Sequence, residues 1–168
     1  MVTHLFNGMS GVHHRDDGLA LAALLDDRVT VGVIGDLVHV STAATRLAFR
    51  AKRGRGVVLV SDTVAWNSEW ASARGVSVVD GAPRLADGTL AGSCTELAEC
   101  VRRVHDAGVD LPTVLRAATL APAETIGAAF AGRVREGESC DILAFDTDLR
   151  LVPGACRLVF PRGSQTLP

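Results

Sequence analysis

The chain has 168 residues, 48% of them hydrophobic and 21% charged, with a formal net charge of −2. This composition excludes a disordered chain, a collagen-like repeat and a heavily disulfide-stapled scaffold. The near-neutral balance gives no long-range attraction to nucleic acid or to an anionic membrane surface, and no Tyr, five Phe and two Trp leave little to stack on single strands.

In chain order, residues 2–6 read as the end of a short apolar strand, and the polar, Gly-containing residues 7–18 as a loop. Residues 18–25 (GLALAALL) are Ala/Leu-rich and predict a helix. Residues 29–34 (VTVGVI) are a β-branched run and predict a buried strand. Residues 41–53 open on Ser41, an N-cap candidate, and close in Arg and Lys, which suits both ends of a helix macrodipole. The basic cluster Arg50, Lys52, Arg53 and Arg55 reads as the solvated end of that helix. Residues 57–60 (VVLV) predict another buried strand, ending at Ser61-Asp62. Apolar strands alternating with helices predict a parallel sheet covered on both faces, so this part is α/β.

Residues 75–92 change character: Asp80-Gly81 and Asp87-Gly88 are hairpin turn signals, and the segment predicts a small β-excursion. Helices follow over residues 95–107, with Gly108 as C-cap, over 111–118 with Pro112 in the first turn, and over 123–130 after Pro122. From Gly132 the pattern predicts three or four short strands.

The cysteines, Cys94, Cys100, Cys140 and Cys156, include no C-x-x-C pair, so free thiols in a reducing compartment are expected. No apolar run reaches the ~18–20 residues of a membrane span. The opening MVTHLFNGM has no basic segment leading into an apolar one, and the cytoplasm is the expected location.

His4, His39 and Asp62 fall at or just after the carboxyl ends of the three predicted parallel strands. Ligands and catalytic groups collect at that edge in parallel α/β folds. A neutral imidazole there suits a divalent metal, and a carboxylate suits a general base. Taken singly, each also fits a hydrogen-bonded loop or core residue. Arg15, in the loop after the first strand, has the planar donor fork that suits an anionic oxygen cluster. His105 lies within a helical stretch and reads as structural.

THLFNGM (residues 3–9), HRDDGLALAALLDD (14–27), VIGDLVHV (33–40), LVSD (59–62), LADGTLAGS (85–93) and the Pro122-Ala123 to Ile126-Gly127 segment follow one another in order. Together they resemble the C-terminal half of N-acetylglucosamine-6-phosphate deacetylases, in the metal-dependent amidohydrolase superfamily. The closing GRVREGESCDILAFD (132–146) is similar to that superfamily's return segment into a small β-sandwich.

The resemblance implies a partial (β/α)8 barrel, about strands six to eight, over residues 1–130, with sandwich return strands and a tail over 131–168. It implies cleavage of N-acetylglucosamine 6-phosphate to acetate and glucosamine 6-phosphate. By the same resemblance His4 is a ligand of a divalent metal, zinc or iron, and Asp62 is the catalytic acid/base. Asn7, Arg15 and His39 hold the sugar phosphate, and Gly8 offers its backbone N–H to it. The family's homodimer brings groups equivalent to Arg15 and His39 into the neighbouring site. Its further metal ligands, a Glu and another His, lie ahead of THLFNGM, outside this chain, so inactivity of the isolated chain is expected. Where the family has small residues and Gly after the catalytic Asp, this chain has Thr63, Val64, Ala65 and Trp66. The competing readings are a non-catalytic sugar-phosphate-binding remnant and one half of a split enzyme.

Overall fold

The structure is a computed structural model that describes residues 1–128, 131–138, 140–152 and the backbone of 157–159. Its α/β core is built on a parallel ladder. The strands β1 (Val31–Ile34) and β2 (Val57–Val60) pair in parallel, Val31 with Val57 through Ile34 with Val60. All four β1 residues and the first three of β2 are buried, which explains why both read as continuous apolar runs.

The first segment joins the other side of β1, but as one bridge, Val2 with Val31, rather than the expected strand over residues 2–6. Leu5 N still donates to Gly32 O at 2.7 Å. Extension stops there because the backbone turns: Asn7 N donates to His4 O at 2.9 Å, and His4 and Phe6 take φ of 35° and 76°.

Helix α1 (Leu19–Leu25) lies between the first segment and β1, and α2 (Thr42–Ala51) between β1 and β2. Ser41 caps α2 as expected, its hydroxyl accepting from Ala44 N at 3.3 Å. The basic end of α2 is not uniformly solvated. Lys52 is only 4% exposed, and its Nζ donates to Asp26 O at 2.6 Å, so its stem is folded inward while the charge satisfies a carbonyl.

A short helix α3 (Glu69–Ala73), capped by Ser68, was not legible in the sequence pattern. The expected excursion is the hairpin β3 (Ser77–Val79) and β4 (Ala82–Arg84). Its turn residues Asp80 and Gly81 both have positive φ, as a type I′ turn requires.

Helices α4 (Leu97–Asp106) and α5 (Leu111–Ala118) pack on β2. Their buried residues Cys100, Val101, Val104, Val114 and Ala117 join Leu5, Phe49, Leu59, Val31, Val33 and Val57 in one core. Helix α6 (Leu120–Thr125) begins earlier and ends earlier than the expected 123–130, with Pro122 in its first turn, where no intrahelical N–H is needed. Residues 129 and 130 lie outside the described residues. In the closing region β5 (Cys140–Ile142) pairs antiparallel with β6 (Arg157–Val159), and Phe145 bridges Leu151. Cys94, Cys100 and Cys140 are free thiols, whereas Cys156 lies outside the described residues. Among the described residues no helix is long and apolar enough to cross a membrane.

Candidate functional site

The carboxyl edge of the parallel ladder gathers three of the polar groups singled out in the sequence. His4 follows the Val2 bridge, Asp36 and His39 follow β1, and Asp62 follows β2. Adjacent strands lie ~4.8 Å apart, so these groups share one edge. Backbone strain concentrates there. Among the described residues seven non-glycine positions have positive φ, and four of them, His4, Phe6, Leu37 and Asp62, stand on this edge. Such conformations cost of order 1–3 kcal/mol each and cluster at functional sites.

His4 Nδ1 lies 3.0 Å from Asn7 O. A carbonyl only accepts, so Nδ1 carries the proton and Nε2 keeps the lone pair that a metal or a donor can use. Asn7 points its amide back to Leu5 O at 3.2 Å, and Gly8 follows at φ 67° with open space where a Cβ would sit. Turn geometry, not a regular strand, aims this motif.

Asp36 is 1% exposed, and the sequence reading passed over it. Its Oδ1 accepts from Val38 N at 2.9 Å and His39 N at 3.0 Å, and its Oδ2 lies 2.6 Å from His39 Nδ1. Burial pushes its pKa up, but these bonds and the adjacent imidazole outweigh burial and hold the carboxyl below the usual range. The readable signal was the spacing: an Asp three residues before a His can close an Asx turn onto it. Beneath this pair, burial and the Asp36 charge push the Cys100 thiol up to about 12, so Cys100 is inert packing.

Asp62 is exposed at φ 52°, with its backbone clamped by the LADGTLAGS segment. Ser93 N donates to Asp62 O at 2.9 Å, Val64 N donates to Ser93 O at 3.0 Å, and Thr63 Oγ1 donates to Thr95 O at 2.7 Å. Arg15 is exposed in the turn closed by the His13–Asp16 bridge. Trp66 is 38% exposed four residues beyond Asp62, and the Arg74 guanidinium stacks over Trp70 at 4.2 Å. His105 donates Nδ1–H to Val109 O at 3.0 Å, a structural bond.

The model of the amidohydrolase family matches residues 2–164. This chain belongs to the amidohydrolase family. The N-acetylglucosamine-6-phosphate deacetylase of Bos taurus is 34% identical over 89% of this chain and 40% of its own length. The N-acetylgalactosamine-6-phosphate deacetylase of Shewanella is 32% identical with the same coverage. Among solved structures, the N-acetylglucosamine-6-phosphate deacetylase of Pasteurella multocida superposes with a TM-score of 0.80 at 29% identity, over 94% of this chain and 44% of that one. That of Thermotoga maritima gives 0.77 at 33% identity, over 89% and 43%. The chain thus spans about 40% of the length of the curated relatives it matches.

The family is generally metal-dependent, and its structures carry a TIM-barrel domain. Among the described residues, however, no three His, Cys, Asp or Glu side chains stand close enough to hold an ion together. A catalytic zinc takes three protein ligands. The donors described here therefore do not complete a metal centre.

Proposed function

We propose that this chain is the C-terminal part of an N-acetylglucosamine-6-phosphate deacetylase. Residues 1–130 would supply about strands six to eight of its barrel, and residues 131–168 the return strands of its small sandwich. The observation that carries this reading is the common edge that holds His4, the Asp36–His39 pair and Asp62 after adjacent parallel segments. Asn7, Gly8, Arg15 and His39 hold the sugar phosphate. Arg15, exposed in its loop, is free to reach a second copy of the chain in a homodimer. A phosphorylated sugar is confined by its charge to the compartment where it is made, which supports a cytoplasmic site of action.

The chemistry follows from the groups present. An amide is a poor electrophile and its amine a poor leaving group. Asp62, exposed at the end of β2, accepts a proton from the attacking water as the new C–O bond forms. It then returns that proton to the nitrogen as the C–N bond breaks, so the amine leaves as –NH₂ and the acyl group as acetic acid, which gives its remaining proton to solvent to become acetate. The phosphate, remote from the reacting bond, orients the sugar. Among the described residues, His4 would be one ligand of a divalent ion, zinc or iron.

The test is an acetate-release assay on the longest protein encoded by the reading frame that carries this sequence. N-acetylglucosamine 6-phosphate is compared with its galactosamine epimer, because relatives of both names match. The expected outcome is acetate from the glucosamine substrate, reduced at least ~10²-fold in Asp62→Asn. Activity that survives Asp62→Asn, or no acetate from either sugar, overturns the proposal. Residues 1–168 alone are expected to release none.

A further inference from the structure

We propose that Asp36 is a positioning residue that fixes His39 in its Nδ1–H form and makes Nε2 the working nitrogen of that ring. The two carboxylate oxygens of Asp36 have separate partners. Oδ1 accepts both backbone N–H groups, from Val38 at 2.9 Å and His39 at 3.0 Å. Oδ2 faces only the ring, 2.6 Å from Nδ1. A turn that merely shaped the loop would need Oδ1 alone. The bond from Oδ2 does nothing for the backbone and everything for the orientation of the imidazole.

Asp36 is itself held. Its carbonyl accepts from Arg103 Nη1 at 2.9 Å, and Arg103 Nε is tied to Glu99 Oε1 at 2.9 Å. Just before it, a Cβ at Gly35 would stand 2.7 Å from Leu59 Cδ1 and 2.8 Å from Cys100 Cβ, so the loop is seated directly on the core. The Asp36 side chain is 0% exposed and that of His39 5%.

An ionised carboxylate has no proton to donate, so Nδ1 carries the hydrogen between them. Nε2 has no hydrogen-bond partner among the described residues. The His39 side chain keeps 5% of its surface open. In the neutral ring Nε2 accepts from a hydroxyl. With a second proton it donates to an anionic oxygen. The pairing stands on this geometry, whereas its use toward a sugar phosphate rests on the proposed function.

The test is ¹⁵N NMR of the imidazoles in the longest protein encoded by the reading frame that carries this sequence, with the His39 signals assigned by their loss in His39→Gln. In the neutral ring the Nδ1–H form is expected to exceed the Nε2–H form by ~10-fold or more, because its bond is charge-assisted. In Asp36→Asn, Oδ1 keeps its two backbone bonds and the amide NH₂ faces Nδ1, so the proton moves to Nε2 and the ratio inverts. A wild-type ring that carries its proton on Nε2, or a mixture of comparable populations, overturns the proposal without any variant. So does an Asp36→Asn ring that keeps the proton on Nδ1. Titration with N-acetylglucosamine 6-phosphate separates the two readings: a shift at Nε2 with Nδ1–H unchanged supports the substrate contact. An unmoved Nε2 in a ring that is Nδ1–H overturns that contact while the Asp36 assignment stands.

Discussion

Asp62 and Ser93 are bound backbone to backbone, Ser93 N donating to Asp62 O at 2.9 Å, and Val64 N completing a parallel bridge by donating to Ser93 O at 3.0 Å. The residue that would carry the proton is therefore held by a segment that is distant in the chain. Gly92 makes the approach possible. Its φ is +106°, and a Cβ on it would stand 2.4 Å from Val64 Cγ1.

Gly92→Ala is accordingly expected to lower the unfolding free energy by about 2–4 kcal/mol, from left-handed strain and the clash with Val64 together. Urea denaturation measures it. Adding Val64→Ala should recover the steric part and leave the backbone part. A Gly92→Ala chain as stable as the wild type would mean that the bridge is not formed.

Acid should destabilise the fold through its ion-paired carboxylates. The side-chain bonds from Arg102 hold Glu99 at about 2, well below its ordinary 4.5. A carboxyl with a depressed folded pKa contributes stability above its unfolded pKa and loses it as pH falls toward the folded one. The window is thus from about 4.5 down to about 2. Asp36, also lowered, acts in the same direction below 3.8. Because Glu99 and its partners are each about a third exposed, its share is at most ~1 kcal/mol. Urea midpoints between pH 6 and 2.5 should fall, and fall less steeply in Glu99→Gln. Equal slopes in the two proteins would show that the pair contributes nothing.

Lys52 offers a cleaner separation of packing from charge. Its Nζ donates to Asp26 O, but that carbonyl also accepts from Val29 N at 3.0 Å, so removing the ammonium leaves it satisfied. Lys52→Met keeps the buried stem and is expected to change stability by less than ~1 kcal/mol. Lys52→Ala removes the stem that packs over Gly56 and is expected to cost about 2–3 kcal/mol. Thermal or urea melts of both decide it, and equal losses would place the contribution in the charge.

What the sequence showed and what it concealed divide along a physical line. The runs VTVGVI and VVLV announced β1 and β2 because strands buried on both faces carry no alternation. Ser41 and Asp80-Gly81 were readable because a cap and a type I′ turn depend on local chemistry alone. The edge location of His4, His39 and Asp62 followed from those same strands. Local signals did not show that His4 and Phe6 would take left-handed backbones, which cut the first strand to one bridge. They did not reveal the link between Asp62 and Ser93, which requires two remote segments to meet. Asp36 was legible in principle, three residues before His39, but its two divided oxygens are a tertiary fact.

The surface predicts self-association of this chain. Leu25 is 81% exposed and Trp70 60%, and the hairpin adds Val78 at 44% and Val79 at 46%. Among the described residues, the Val2 segment pairs with Thr30 and Gly32 on one side, which leaves its outer backbone groups open for another chain. An open edge and exposed apolar side chains each favour contact with another chain. Sedimentation velocity at micromolar concentrations should show species heavier than the 17.6 kDa monomer, increasing with concentration. Replacing Trp70 with a charged residue should shift the distribution toward monomer, since Arg74 covers only one face of that ring. A monodisperse monomer that melts cooperatively would show that these surfaces are stable in water alone.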